Sequence, residues 1–356
     1  MMENISFSKR WALECERNER NKQIKEHKLS QLFWECTVRC NQNCLHCGGD
    51  CRKLPDVSDM PIQNFCRVLD DIAQHQDPSS VIIVITGGEP LLRDDLEECG
   101  REITKRGFKW CLVTNGILLT PERYQSLQDA GMHSISISLD GFDVDHNWLH
   151  GCSESFEKTC EAIRLVNTVP SMVCEVVTCV TNRNIDYLPE MAGLLLNLGV
   201  ERWRLYSAYP IGRAAQNPEL QLEPYQIRWL LKFICKQREA RYMYVNYGCE
   251  GFLGKYEGEV RDHLFSCQAG ISIASIKVNG EIGGCLSINK VYSQGNIYED
   301  EFMDIWNTCY RQYRNRDWMH TGICTHCRQF RYCHGGSFHL RDEENRLIRC
   351  TFYNCK

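Results

Sequence analysis

Three cysteines stand close together near the start of the chain, in the segment Cys40-Asn-Gln-Asn-Cys44-Leu-His-Cys47. Thiolates are the usual ligands of iron–sulfur clusters, and three of them can hold three irons of a [4Fe–4S] cube while the fourth iron stays open. An open iron can bind a substrate or a cofactor instead of only passing electrons on. Zinc is the alternative, because His46 or Cys51 could complete a tetrahedral site. This segment alone favours an iron–sulfur site without excluding zinc.

A glycine-rich turn follows the second apolar run of the sequence. Residues 81–86 have the pattern of a buried strand, and the chain continues as Gly87-Gly88-Glu89-Pro90. Glycine lets backbone groups approach a ligand closely, and the carboxylate of Glu89 can accept a hydrogen bond from an amino group. An ordinary turn between a strand and a helix is the alternative. The place of this turn, one strand after the three cysteines, favours a ligand site.

The composition limits the class of protein. A chain of 356 residues suffices for one large domain and a smaller one. The net charge of −5 provides no basic field, so we expect no nucleic-acid partner. No apolar run approaches the ~20 residues that span a bilayer, and the N-terminus has no apolar signal region, so we expect no membrane association. The 23 cysteines then indicate metal clusters in a reducing cytoplasm rather than disulfides.

Short apolar runs alternate with helix-patterned segments between residues 32 and 207. Strands that alternate with helices predict βαβ units around a parallel sheet. Six such strands predict an α/β fold, a partial (β/α)6 barrel with its chemistry at the carboxyl ends of the strands. The predicted strands are Leu32–Val38, Val81–Thr86, Trp110–Val113, Ser134–Leu139, Val173–Val180 and Trp203–Tyr206, and the predicted helices cover 61–75, 94–106, 121–130, 154–168, 186–198 and 223–245.

The residue composition and pattern divide the chain into three regions. Residues 1–30 contain a charged helical lead-in, and residues 31–245 contain the predicted barrel. Beyond residue 246, turns and cysteines dominate, and Asn279-Gly280 between two apolar runs predicts a hairpin over 271–286. We therefore expect residues 246–356 to form a small cysteine-rich α+β domain.

Taken together, the motifs resemble those of radical S-adenosylmethionine (SAM) enzymes. In that family the three cysteines, here Cys40, Cys44 and Cys47, hold a [4Fe–4S] cluster whose open iron binds the amino and carboxylate groups of SAM. The resemblance implies reductive cleavage of SAM to methionine and a 5′-deoxyadenosyl radical, which abstracts hydrogen from a substrate carbon. The residues that the resemblance assigns to SAM lie at the ends of three strands: Gly87, Gly88, Glu89, Pro90, Thr114, Asn115, Ser138 and Asp140.

The segment that follows Asp140 departs from the family sequence. The resemblance implies that Ser138 and Asp140 face the ribose or carboxylate of SAM, with capping of a turn as the alternative. Many relatives continue with His-Asp-x-x-Arg, whereas this chain has His146-Asn147-Trp148-Leu149-His150. If the arginine of relatives holds a carboxylate, that role is missing here or passes to His150.

The C-terminal cysteines resemble the SPASM extension of radical SAM enzymes, which carries auxiliary [4Fe–4S] clusters. Ser337 stands where the family has another cysteine. Exchange of Cys350 with Cys355, loss of one cluster, and a zinc ribbon are the alternatives to the family's ligand order. That order assigns Cys324, Cys327, Cys333 and Cys355 to an outer cluster, and Cys267, Cys285 and Cys350, with Cys249 as a further candidate, to an inner one.

The SPASM resemblance favours post-translational modification of a peptide or protein substrate. Formylglycine formation is not expected, since Leu286 stands where sulfatase-maturing relatives have an aspartate. Roughly thirty residues before the first strand are too few for a leader-binding domain, so we expect a separate recognition protein or the barrel's own surface to bind the substrate.

Two other functions compete with this one. The first is a small-molecule enzyme that acts on a tetrapyrrole side chain or a sugar, and the second is a non-catalytic iron–sulfur electron carrier. A carrier has no use for the turn at residues 86–90, so an enzyme is favoured. An electron donor such as flavodoxin or ferredoxin is the expected partner of either enzyme, and no residue is assigned as a catalytic acid or base.

Overall fold

Parallel strands form the frame of the molecule. The computed structural model describes residues 5–49, 51, 57–248 and 251–355. The strands in these ranges are β1 (Gln31–Thr37), β2 (Ile82–Gly87), β3 (Lys109–Thr114), β4 (Met132–Ser138), β5 (Val173–Val180), β6 (Arg202–Ser207), β7 (Tyr244–Tyr247), β8 (Ile273–Ile276), β9 (Glu281–Gly283) and β10 (Gly295–Asn296).

Helices follow most of these strands, as the alternating pattern predicts. Some begin at residues suited to a first turn: Thr120 accepts a hydrogen bond from the backbone N–H of Arg123, and Glu223 forms a capping box with Gln226. The helices are α1 (Phe7–Glu26), α2 (Ile62–His75), α3 (Leu96–Lys105), α4 (Pro121–Asp129), α5 (Asp143–His150), α6 (Ser155–Val166), α7 (Leu188–Asn197), α8 (Pro224–Ala240), α9 (Phe302–Thr308), α10 (Arg311–Arg314), α11 (Phe330–Cys333) and α12 (Thr351–Asn354).

Strands β1 to β7 pair in parallel, each beside the next one in the chain. This order confirms the predicted partial barrel, and the six predicted strands correspond to β1 to β6, with β7 as a further parallel strand. The seventh strand, β7, begins inside the segment predicted as the end of a helix, which stops at Ala240. A strand of four residues is too short for its alternation to stand out beside a strong helical pattern.

The predicted hairpin is confirmed as β8 and β9, which pair antiparallel. Strand β8 also pairs in parallel with β1, and Ala274 lies opposite Leu32. The C-terminal residues therefore extend the barrel sheet at its first strand. The predicted boundary near residue 246 falls within β7, and the division into three domains stays a prediction.

Large side chains fill the space between the sheet and the outer helices. Trp34, Trp110 and Trp203 have 0% exposure, and Trp34 stacks on Phe65 of α2 with the ring centroids 4.2 Å apart. Full burial of a large apolar side chain stabilises a fold by roughly 1.5–3 kcal/mol. This packing fixes the strand ends from which the candidate site residues extend.

The N-terminal helix α1 contacts the C-terminal region. Arg20, with 4% exposure, donates to the carbonyl oxygens of Tyr332 at 2.6 Å and Arg331 at 3.2 Å. Lys9 forms an ion pair with Glu259 at 2.9 Å. Within the described ranges, no helix combines the length and the apolar character needed to cross a membrane.

Candidate active site

The cysteine loop (residues 38–49) leaves the end of β1 at the carboxyl edge of the sheet. Cys40 is buried, and Cys44 and Cys47 are half-buried. Burial raises the pKa of Cys40 and Cys44, and the neighbouring Cys47 thiol raises both further. The three sulfurs are thus electrostatic neighbours on one loop, which suits three ligands of a single cluster.

A segment after β6 holds this loop from one side. Arg213 donates through its backbone N–H to the carbonyl oxygen of Cys47 at 2.9 Å, and through Nε to that of Cys44 at 2.8 Å. Gly212 packs so closely that a Cβ there would lie 2.5 Å from the Cys47 carbonyl oxygen. The Arg213 guanidinium therefore both fixes the loop and places a positive charge beside its thiols.

Helix α5 holds the loop from another side. The backbone N–H groups of Asn43 and Leu45 donate to the carbonyl oxygens of His150 and Leu149, at 3.1 and 2.8 Å. Carbonyl groups in the last turn of a helix have no partner within the helix, so they are available for such contacts. The stretch that departs from the family sequence is therefore a helix whose end supports the cysteine loop.

Two further cysteines lie near the loop in sequence but differ in position. Cys51 hydrogen-bonds to Cys47, and this bond is the main reason that the pKa of Cys47 is lowered to about 6. Cys36 has 0% exposure, and its carbonyl oxygen accepts from Arg93 at 2.7 Å. Cys51 is thus a neighbour of the candidate ligands, whereas Cys36 belongs to the core.

The glycine-rich turn packs directly on the chain that enters the cysteine loop. Gly87 has a φ of +144°, and a Cβ there would lie 2.1 Å from the carbonyl oxygen of Thr37. A Cβ at Gly88 would lie 2.0 Å from the carbonyl oxygen of Arg39. Real Cβ atoms do not approach backbone oxygens this closely, so the two glycines are required by packing as well as by any ligand.

The carboxylate of Glu89 is engaged within the protein. Its Oε1 accepts from the Thr114 hydroxyl at 2.7 Å and from the Leu91 N–H at 3.0 Å, and its Oε2 accepts from the Asn115 N–H at 2.8 Å. Glu89 has 0% exposure, and burial raises its pKa although the three donors oppose this. The turn consequently offers a ligand its backbone groups rather than this carboxylate.

Asp140 is also engaged within the protein. Its Oδ1 accepts from the backbone N–H of Cys179 at 2.6 Å, and its Oδ2 lies 2.8 Å from Nε2 of His150. Burial would raise the pKa of Asp140, but the hydrogen bond from His150 and the nearby imidazoles lower it. Of the two residues predicted at this strand end, Ser138 is half-buried and Asp140 has 1% exposure.

A separate cavity in the C-terminal region gathers four cysteines. Cys324, Cys327, Cys333 and Cys350 line it. The structure thus places Cys350 with the outer set, and the assignment of Cys350 to the inner cluster is the less favourable of the two exchangeable orders. Cys355 has 2% exposure in the hydrophobic core and does not line this cavity.

The candidate ligands of the inner cluster are less completely described. Burial is the main cause of the raised pKa of Cys285, and the charge of Cys267 raises it further. The two cysteines are therefore near each other. Cys249 lies outside the described residues. Ser337 has 0% exposure and precedes the buried Phe338.

A buried arginine beside the outer cysteine set indicates whether these residues suit an iron–sulfur cluster. Arg341 has 3% exposure, its Nη2 lies 4.0 Å from Sγ of Cys324, and its Nε has no hydrogen-bond partner among the described residues. Its Nη atoms donate to the carbonyl oxygens of Asn345, Met319 and Gly335, but no described carboxylate forms an ion pair with it. A buried cation without a counter-charge is costly, and an anionic cluster on four thiolates supplies one, so the residues present fit such a group.

Comparison with known families agrees with this geometry. A family model described as the radical SAM superfamily matches residues 34–195, and the SPASM model, described as an iron–sulfur cluster-binding domain, matches residues 267–328. The chain is a radical SAM enzyme with a SPASM domain. It therefore uses SAM and [4Fe–4S] clusters, which removes zinc and a non-catalytic electron carrier as interpretations.

The relatives of this enzyme differ in what they act on. The AdoMet-dependent heme synthase of Methanosarcina barkeri is 27% identical over 324 residues, covering 85% of this chain and 90% of that protein. The mycofactocin maturase MftC of Mycolicibacterium smegmatis is 26% identical over 312 residues, covering 86% of this chain and 77% of that protein. Both similarities run through the barrel and the cysteine-rich region.

A solved structure confirms the fold. SuiB of Streptococcus suis bound to S-adenosylmethionine superimposes with a TM-score of 0.69 at 17% identity, covering 90% of this chain and 76% of that chain. At this identity the likeness speaks for the architecture alone.

Sequence motifs locate the cysteines and the strand ends but miss the residues that hold them. Arg213 and Arg341 lie in no motif, because a lone arginine in a loop has no distinctive spacing. For His150 a signal exists, since it stands near the position of the arginine that relatives carry. Its contact with the cysteine loop depends on helix α5, which has only eight residues, too few for their periodicity to predict a helix.

We predict that Gly88→Ala destabilises the enzyme by about 1–3 kcal/mol, the usual cost of forcing extra atoms into a packed site. The new Cβ meets the Arg39 backbone, so the cysteine loop must shift and iron incorporation should fall. Chemical denaturation and iron content measure both effects. Gly193→Ala is the control, because that glycine lies exposed within α7 with no atom within 4 Å of the added Cβ. It should stabilise the enzyme by roughly 0.5–1 kcal/mol, and an equal response of both variants would contradict the prediction.

We also predict that Cys324 and Cys350 ligate the same cluster. Cys324→Ser should lower the iron content by about four atoms per chain, the content of one cube. Adding Cys350→Ser should lower it no further, because both thiols line one cavity. A second loss of similar size in the double variant would place Cys350 in another cluster.

Proposed function

We propose that this radical SAM enzyme acts on a small molecule, a carboxylate-bearing tetrapyrrole that is a precursor of heme. The observation that carries the proposal is the similarity to a heme synthase over 85% of this chain and 90% of that protein. The peptide or protein substrate expected from the SPASM resemblance is therefore the second candidate. It is favoured by the similarity to a maturase, which covers less of that protein.

The chain offers a surface with matching chemistry beside the outer cysteine set. A cleft of about 610 Å³ lies between the loops after β6 and the C-terminal tail. Its apolar walls include Leu222, Ile323, Ile348 and Tyr353, and the last three are exposed. Apolar walls with a few polar groups are typical of small-ligand sites, and they suit the faces of a macrocycle.

Arg349 is the cation of this cleft. Its Nη1 donates to the carbonyl oxygen of Ala208 at 3.2 Å and lies 3.4 Å from Oε1 of Gln221, and its Nη2 contacts the hydroxyl of Ser207. These bonds tie the tail to the end of β6 and fix the guanidinium at the cleft wall. A guanidinium so held can bind a carboxylate, which makes it suited to an acidic side chain of the substrate.

The proposed division of labour follows the predicted regions. Residues 31–245 would carry the radical-forming site and residues 246–356 the auxiliary clusters, and helix α1 of the lead-in (residues 1–30) packs against the latter region. When bound, the cluster on Cys40, Cys44 and Cys47 supplies the electron that cleaves SAM, and the resulting radical takes hydrogen from the substrate. The backbone of Gly87 and Gly88, together with Ser138, would position SAM, while Glu89, Thr114, Asn115 and Asp140 hold the strand ends in place.

An external electron donor completes the reaction. Radical SAM enzymes take electrons from a partner, and we propose a small carrier such as flavodoxin or ferredoxin for this role. The outer cavity lies beside the proposed substrate cleft and shares Ile323, Arg349 and Cys350 with it, so an auxiliary cluster held there would lie close to the substrate.

We predict that iron-coproporphyrin III, a tetrapyrrole with four propionates, is consumed by the reconstituted and reduced enzyme, with formation of 5′-deoxyadenosine. Arg349→Met should lower this turnover by about tenfold or more, since loss of a charged hydrogen bond costs roughly 1.5–3 kcal/mol. The variant should still cleave SAM slowly without substrate. Mass spectrometry of the porphyrin and chromatography of the nucleoside measure the two steps.

The matched control is Arg346→Met. Arg346 lies in the same tail but is 74% exposed, and it pairs with Asp342 and Glu344 rather than with the cleft. It should leave turnover within about twofold of the parent, because exposed ion pairs contribute little. Failure of tetrapyrroles to stimulate 5′-deoxyadenosine formation, in an enzyme that cleaves SAM, would reject the substrate class and favour the peptide candidate.

A further inference from the structure

Among the three loop cysteines, Cys44 is the one whose sulfur lies beside an imidazole. Sγ of Cys44 lies 3.2 Å from Nδ1 of His150 and 3.5 Å from Oε1 of Gln42. A cysteine that ligates iron is a thiolate, which accepts hydrogen bonds and cannot donate them. One of these two neighbours must then supply the donor, or the contact would be repulsive.

The far side of the imidazole fixes its orientation. Nε2 of His150 lies 2.8 Å from Oδ2 of Asp140, while the other oxygen of Asp140 accepts from the Cys179 N–H at 2.6 Å. His150 has 2% exposure and Asp140 has 1%, so water does not compete for these contacts. Nε2 is therefore the donor to Asp140, and the ring is held with Nδ1 towards Cys44.

The amide of Gln42 has two orientations, and the tautomer of His150 selects between them. An imidazole that donates from Nε2 accepts at Nδ1, so the NH2 group of Gln42, and not its oxygen, must face His150 and Cys44. Turned in this way, the amide donates through its NH2 group to Cys44 and to Nδ1. The oxygen and nitrogen of a glutamine amide are distinguished only by such networks.

The remaining partner of Gln42 is compatible with the turned orientation. The amide lies 2.7 Å from Oγ of Ser155, which is also 2.8 Å from Nε2 of His146. Nδ1 of His146 accepts from the Asp140 backbone N–H at 3.0 Å, so its Nε2 is the donor to Ser155. The Ser155 hydroxyl hydrogen is then available to the oxygen of the turned Gln42 amide.

We propose that His150, held by Asp140 and paired with Gln42, is a positioning residue that maintains a hydrogen bond to the Cys44 thiolate and so makes the SAM-binding cluster easier to reduce. Hydrogen bonds to the sulfurs are one of the factors that set the potential of an iron–sulfur cluster. A donor withdraws charge from the thiolate, which stabilises the reduced and more negative state. The end of helix α5, which supports the cysteine loop, thus also raises the reduction potential of the cluster that the loop holds.

Two substitutions separate the sulfur contact from the Asp140 contact. His150→Asn places an amide where Nδ1 was and keeps a partner for Cys44 and Gln42. His150→Gln reaches the position of Nε2 and keeps Asp140, but leaves the thiolate side empty. In His150→Gln the midpoint potential of the EPR signal that changes on SAM addition should fall, and SAM cleavage at a fixed reductant potential should slow about tenfold. His150→Asn should stay within about twofold of the parent enzyme.

A purely structural role for His150 would give a different pattern, since both variants would then lose cluster content or stability to the same extent. An unchanged potential in His150→Gln, or equal shifts in both variants, would overturn the proposal. If His150→Gln fails to assemble the cluster, the test uses the unmodified enzyme. Pulsed EPR of protein labelled with 15N in histidine or in the glutamine side-chain amide should show a 15N coupling to the SAM-responsive cluster in one of the two samples, and its absence from both would also overturn the proposal.

Discussion

The site depends on the contact between the glycine-rich turn and the chain that enters the cysteine loop. Gly88 and Glu89 donate their backbone N–H groups to the carbonyl oxygens of Thr37 and Arg39, both at 2.8 Å. The buried carboxylate of Glu89 then binds the end of the third strand through Thr114 and Asn115. Three strand ends are thus joined around one carboxyl group, and its burial is tolerated because both of its oxygens accept hydrogen bonds.

Positive charge is distributed to suit the sulfurs. Arg213 lies beside the cysteine loop, Arg341 lies beside Cys324, and Arg20 adds a cation near Cys333. Desolvation lowers the pKa of Arg20 to about 10, so its burial is unfavourable by itself. Bound clusters and their thiolates would supply the missing negative charge, and cluster binding would then contribute to folding.

Local sequence predicts the parts of the fold that follow from short-range patterns. The apolar runs of the first six strands, the Asn279-Gly280 hairpin and the cysteine spacing all depend on neighbours in the chain. Strand β7, helix α5 and the contacts of Arg213 depend on residues far apart in sequence, which no periodicity records. The cluster that Cys350 joins also depends on residues far apart in sequence. Cys350 and Cys355 can exchange places in the ligand order, and only the path of the C-terminal tail distinguishes the two assignments.

The pairing of β8 with β1 has a consequence for how the two halves of the chain can be separated. Without β8, the first barrel strand would be an open edge with unpaired backbone groups along Gln31 to Trp34. Such an edge is a template for association with other strands. The auxiliary-cluster region therefore covers this edge, and a barrel cut free of it would need a substitute strand to avoid aggregation.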